Sequence, residues 1–167
     1  GKSMATNGPL LRFSLREIGV GGQISVPAGS NRMTAKVSMS SIVPIDHLEI
    51  IGNGAVVAAI PLRGDRTSAD TTVGIEVNHS GWYLLRAYSD RAIEPVLDIY
   101  PFGTTNPVYV TVGGKPPRGG GDAEYFVRWL DRLAVAAEAH PGWNTSQEKR
   151  EVLARIEQAR AEFEKRR

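Results

Sequence analysis

The chain has 167 residues, three histidines (His47, His79 and His140) and no cysteine. Any metal or nucleophilic chemistry would have to be built from that small set together with carboxylates and serines. No His-x-His or His-Glu-x-x-His pair occurs, so no local metal clamp is written in the sequence. Asp46-His47-Leu48-Glu49 is the tightest grouping of acids and imidazole. A strand sends such neighbours to alternating faces, which predicts a surface polar cluster. His140 precedes Pro141-Gly142 at a helix end, where a cationic ring suits the dipole. There is no Gly-x-Ser-x-Gly elbow and no glycine-rich phosphate loop between strand and helix. Glu76, Asp90 and Asp98 stand apart from one another. The residues therefore predict no catalytic group, no metal ligand and no cofactor held by this chain.

Two further residues invite a binding role. After the Ser80-Gly81 turn signal, Trp82-Tyr83-Leu84-Leu85-Arg86-Ala87-Tyr88 has the aromatic and aliphatic content of a strand. Alternation places Trp82, Leu84, Arg86 and Tyr88 on one face and Tyr83, Leu85 and Ala87 on the other. Apolar residues on both faces predict a central strand with material packed on each side. An arginine there needs a partner or a wet edge, and a structural salt bridge is its ordinary reading. Trp and Arg are also the usual anchors of interfaces.

The elements that would position these residues follow from periodicity. Leu11, Phe13 and Leu15 alternate with polar residues as a half-buried strand, and Gln23–Val26 is a short strand ended by Pro27. Met33 to Met39 alternates over seven residues, predicting a sheet with one solvated face. Gly52-Asn53-Gly54 between two apolar runs is a hairpin signal. Arg63 to Asp70 reads as a polar loop, and Val73, Ile75 and Val77 as another strand. Glu94 to Tyr100 reads as an edge strand, broken by Pro95 and Pro101, and Val108, Val110 and Val112 as the last strand. The expected fold is mainly β, an immunoglobulin-like β-sandwich over residues 1–113.

Residues 114–121 read as a Gly/Pro linker, and residues 122–167 as an α-helical hairpin. Asp122 can cap a helix with an apolar stripe of Phe126, Trp129, Leu130, Leu133 and Ala137. Thr145-Ser146-Gln147-Glu148 matches a capping box for a second helix, whose stripe is Val152, Ile156, Ala159 and Phe163. Glu151 and Arg155 are spaced for an ion pair on its solvated face. The tail from Asp122 carries nine acids and nine bases, and the whole chain is at +2, so no nucleic-acid partner is expected. No apolar run reaches the roughly 18 residues of a membrane span.

Several stretches, in order, resemble the C-terminal part of the carbaryl-hydrolase-like (CehA/McbA) metallohydrolases of the PHP superfamily. They are Gly1-Lys2-Ser3 with Thr6-Asn7-Gly8-Pro9-Leu10, Leu48 to Ile51 with Asn53-Gly54, Ser80-Gly81-Trp82 with Leu85-Arg86-Ala87, and Asn106 to Val110. Asp122 to Phe126 with Trp129-Leu130-Asp131 continues the likeness. The resemblance implies that the histidines and acids binding a divalent metal belong to a catalytic domain preceding Thr6. This chain would then be a non-catalytic accessory domain, cut from a longer protein, whose partner is its own N-terminal catalytic domain. Thr104-Thr105 stands where the resemblance leads one to expect a histidine, so no role of that histidine carries over.

Thr6, Asn7, Gly8 and Pro9 together with Trp82 and Arg86 are the expected surface towards that domain or towards a ligand. Two alternatives make separate demands. A carbohydrate- or ligand-binding sandwich would show Tyr83, Tyr88, Tyr100 and Trp143 as an exposed coplanar row. A protein-interaction domain would leave an apolar helix stripe uncovered.

Overall fold

The computed structural model describes residues 1–96, 99–117 and 120–166. The chain forms two compact units, Gly1–Pro117 and Arg118–Arg167. The first is a sandwich of two sheets and the second a pair of helices, so the protein is mainly β with a C-terminal helical hairpin.

The seven-stranded sheet is built around β9 (Gly81–Tyr88). On one side β9 pairs antiparallel with β6 (His47–Gly52), which turns back into β7 (Ala55–Ala59). Its other edge is shared by β10 (Phe102–Thr105) and β11 (Val108–Val112). Beyond them lie β1 (Met4–Thr6), antiparallel to β10, and β4 (Gln23–Val26), parallel to β11. The smaller sheet has the order β3 (Ile18–Gly19), β2 (Leu10–Leu15), β5 (Asn31–Ser40), β8 (Ser68–Val77).

The period-2 patterns decide which side chains fill the space between the sheets. Leu11, Phe13 and Leu15 face inward from β2, and Met33, Ala35, Val37 and Met39 from β5. Leu48, Ile50, Tyr83, Leu85 and Ala87 meet them from the other sheet. Each such side chain contributes about 1.5–3 kcal/mol by leaving water, with less from the alanines. The outward positions of β5 are polar and mostly exposed, as its alternation predicts.

The hairpin at Asn53-Gly54 forms with positive φ at both residues (50° and 86°). It has a second use. The Asn53 side-chain Oδ1 accepts the Trp82 N–H at 3.0 Å, and the Asn53 backbone N–H donates to the Trp82 carbonyl at 3.0 Å. A Cβ on Gly81 would lie 1.9 Å from the Asn53 Oδ1. Only glycine lets the amide reach the strand. Ser80, buried beside it, accepts the Val112 N–H at 2.7 Å and donates to the Lys115 carbonyl.

Four expectations need correction. The strand expected from Val73 begins at Ser68, because β8 pairs with β5 along its whole length, which takes in the end of the expected polar loop. No edge strand forms in the described part of 94–100, where Ile93 and Val96 make an isolated bridge and Leu97 and Asp98 lie outside the described residues. Strands β1, β3 and β10 are too short or too polar to show a period and were not expected. Helix α1 (Gly120–Ala139) starts before Asp122, so Asp122 sits in its first turn rather than capping it. Arg118 and Gly119 of the expected linker lie outside the described residues.

The β2–β3 hairpin turns through Arg16 and Glu17, both at positive φ (45° and 68°). Left-handed backbone costs a non-glycine residue roughly 1–2 kcal/mol, and Asn-Gly is the pair that relieves it. Glu17 holds Lys36 at 2.7 Å, but both are exposed, and such a pair returns at most about 1 kcal/mol. The double variant R16N/E17G is therefore expected to raise stability by about 1 kcal/mol, read as a higher urea midpoint at unchanged slope. A lower midpoint would mean that the native side chains outweigh the backbone strain.

Candidate functional site

Strand β9 presents Trp82, Leu84, Arg86 and Tyr88, each half-buried, on the outer face of the larger sheet. Register sets their neighbours. Arg86 lies opposite Glu49, and its Nη2 and Nε donate to Glu49 Oε2 at 2.7 and 3.3 Å. The guanidinium carbon sits 5.0 Å from the Tyr88 ring centre, and His47, opposite Tyr88, stacks on that ring at 4.4 Å. His47 Nε2 is 2.9 Å from Asp90 Oδ1, while Asp46 pairs with Arg66 at 2.9 Å and accepts the Asp90 N–H. The acids around His47 thus diverge, each to its own partner. Among the described residues no three His, Asp or Glu side chains converge as a metal site.

Thr6 to Pro9 carries the chain from β1 in the larger sheet to β2 in the smaller one. The Thr6 hydroxyl donates to the Pro9 carbonyl at 2.7 Å and accepts the Gly8 N–H at 3.0 Å. Asn7 extends the ladder with its side chain: Oδ1 accepts the Phe102 N–H at 2.7 Å and Nδ2 donates to the Tyr100 carbonyl at 3.1 Å. Pro9 is fully buried. This crossover and Arg86 belong to the same sheet, two strands apart, with Ala5 facing Thr104 and Thr104 facing Arg86.

The four aromatics expected as a carbohydrate platform do not form a row. Tyr83 is in the core, Tyr88 is covered by His47, and Tyr100 meets Phe102 edge-on at 82°. Trp143 belongs to the helical unit, where its Nε1 donates to the Ala137 carbonyl at 3.0 Å.

In the helical unit, α2 (Ser146–Glu164) runs antiparallel to α1, with Phe126 stacked on Phe163 at 4.8 Å at one end and Lys149 on Glu138 at the other. Thr145 caps α2 by accepting the Glu148 N–H, but the Glu148 carboxylate takes the Asn144 N–H, one residue earlier than a capping box requires. Glu151 accepts from Gln147 instead of pairing with Arg155. The buried positions of α1 are Ala123, Val127, Leu130 and Ala137. Trp129 and Leu133, expected in that stripe, are 53% and 41% exposed, and Tyr125 is 60% exposed. Spaced four apart, Tyr125, Trp129 and Leu133 form a second apolar ridge. The stripe expected from the sequence joins two faces of one helix. The spacing that separates them was present, but Trp and Leu attract an inward assignment whichever face they occupy.

A third feature had no sequence signal. A cavity of about 670 Å³ opens between the sheets where β1 and β4 lie end to end. Leu11 and Phe13 line it from β2, Ile18 and Val20 from the β3 hairpin, and Met4 from β1. Residues from within 2–23, with Thr105, line it, brought together by strands that belong to two sheets, which no periodicity within one strand encodes.

No protein family, curated protein or solved structure matches the chain.

Two outcomes follow from this geometry. The Glu49 carboxylate is only 12% exposed and Arg86 36%, so the pair lies between surface and interior. Arg86→Ala should cost about 2 kcal/mol, above an exposed pair and below a buried one. A double-mutant cycle with Glu49→Ala should return a coupling above about 1 kcal/mol; a value near zero would remove the pair from the fold's supports. Burial also pushes the Tyr83 phenol above its ordinary value. The folded state favours the neutral ring, so this contribution is complete below the unfolded value of about 10 and fades as pH rises through the folded one. Tyr83→Phe should flatten the alkaline fall in the denaturant midpoint, and an unchanged fall would assign it to other groups.

Proposed function

We propose that this chain is a non-catalytic accessory module of a PHP-type metal-dependent hydrolase, an immunoglobulin-like sandwich with a helical hairpin that docks on the catalytic domain preceding it. The observation that carries the docking role is the exposed Tyr125–Trp129–Leu133 ridge of α1, beside the face that packs on α2 and of the kind a protein-interaction domain would also present. Exposed apolar patches of this kind mark interaction surfaces, and Tyr and Trp are the residues that dominate them energetically. The immunoglobulin-like reading is supported by the strand distribution. β2, β5 and β8 share one sheet, β6, β9 and β11 the other, and β4 runs parallel to β11 at the edge. The hydrolase assignment rests on the ordered resemblance of the motifs from Thr6 to Asp131. The Trp82–Arg86 face and the Thr6–Pro9 crossover are a second contact surface in this reading.

The coding sequence upstream of Gly1 is the first test. A frame carrying a His-x-His run and further His and Asp ligands is expected; a start codon directly upstream would remove the hydrolase. The polypeptide so encoded, expressed separately, should bind this chain in titration calorimetry. The Y125A/W129A variant should weaken binding at least about tenfold, the loss of roughly 1.4 kcal/mol or more that one good anchor supplies. Equal binding by the variant would overturn the ridge as the docking surface. Metal-dependent ester or phosphoester turnover by this chain alone would overturn the accessory reading.

A further inference from the structure

The cavity at the β1–β4 junction combines three properties. Its volume of about 670 Å³ falls in the range of roughly 300–1,000 Å³ that small-molecule sites occupy. Its floor is apolar and fixed, because Leu11 and Phe13 belong to the main core. Its lining also carries two cations, Lys2 and Arg12, that make no ion pair among the described residues, whereas the acid beside them, Glu17, is engaged by Lys36 at 2.7 Å.

The walls explain why the space stays open. β3 pairs only with Ser14 and Leu15, so β2 has no strand beside Leu11 to Phe13 on that side. The Leu11 N–H donates to the Met4 sulfur at 3.4 Å, and a thioether is a weak acceptor. Above the gap the backbone is stitched shut: Gly21 N–H donates to the Pro107 carbonyl at 2.7 Å, and Asn106 N–H to the Ser3 carbonyl at 2.9 Å. The chain therefore cannot close the cavity by sliding β1 towards β4 without breaking these bonds.

We infer that this cavity is a binding site for an apolar monocarboxylate, with an aliphatic body against Leu11 and Phe13 and its carboxylate met by Lys2 and Arg12. A sugar would need a flat aromatic platform with converging donors and acceptors, which the lining lacks. A phosphate would need several donors aimed at one point. Two unpaired cations at the edge of an apolar floor suit a single negative charge on an apolar body. This site is separate from the helical ridge and stands whether or not the accessory reading does.

The test is a titration of the ¹⁵N-labelled chain with decanoate, followed in amide spectra, with decanol as the uncharged control. Saturable shifts at the Leu11, Phe13, Ile18 and Val20 amides are expected. K2E/R12E, two exposed changes, should weaken decanoate at least about tenfold, the effect of losing one charge-assisted contact, and leave decanol unchanged. Ile18→Trp, at the half-open mouth, should block both ligands. The inference is overturned by no shifts up to about 1 mM, the weak limit of specific affinity. It is equally overturned by shifts scattered over the helical unit, or by K2E/R12E leaving decanoate unaffected. Binding of an extended apolar peptide without decanoate would replace it with strand addition at β2.

Discussion

Strand β9 has to satisfy two environments at once. Its inner face completes the core while its outer face carries a charge, and its start must be held against β6 although the chain turns sharply at Ser80-Gly81. The Asn53 amide meets that last demand. By bonding both polar groups of the Trp82 peptide through one residue, it fixes where β9 begins and so fixes the register of every pair along β6. A one-residue slip would exchange Leu85 and Ala87 for Leu84, Arg86 and Tyr88 in the core. The placement of Arg86 opposite Glu49 is a consequence of that pin, since a guanidinium displaced by one position would face the sandwich interior without a partner.

The same logic covers the other short polar motifs. Asn7 pairs with the backbone at Phe102, Asn106 donates through Nδ2 to the Gly1 carbonyl at 2.9 Å, and Ser80 ties β9 to the end of β11. Each sits where the chain changes sheet or a strand is interrupted, and each replaces a ladder bond that the irregular backbone cannot make. Most of them lie in the stretches on which the expected likeness to a hydrolase accessory domain rests, and in this structure they fix how the sandwich closes.

The long strands were legible in the sequence because each buries one face, and burial enforces a period of two. Leu11 to Leu15, Met33 to Met39 and Val108 to Val112 are of this kind. What could not be read was whatever depends on non-local pairing. β1 and β10 are recruited by each other, not by their composition, and the cavity exists only because β1, β2, β3 and β4 meet at one corner. Helix α1 failed differently. Its apolar residues extend beyond one stripe: Ala123, Val127, Leu130 and Ala137 are buried, whereas Tyr125, Trp129 and Leu133 are exposed.

That choice has a physical basis. Two antiparallel helices approach closely when the facing residues are small, and Ala134 and Ala137 on α1 pack with Ala159 and Ile156 on α2 in one cluster. Leu130, Leu153 and Phe163 belong to that cluster too, while Trp129 stays 53% exposed beside Phe126. The ion pairs Arg160–Asp131 and Lys149–Glu138 lie along the flanks of the hairpin and hold the same rotation. Helix α1 therefore divides its large residues, with Leu130 and Phe126 turned to its own hairpin and Tyr125, Trp129 and Leu133 left exposed.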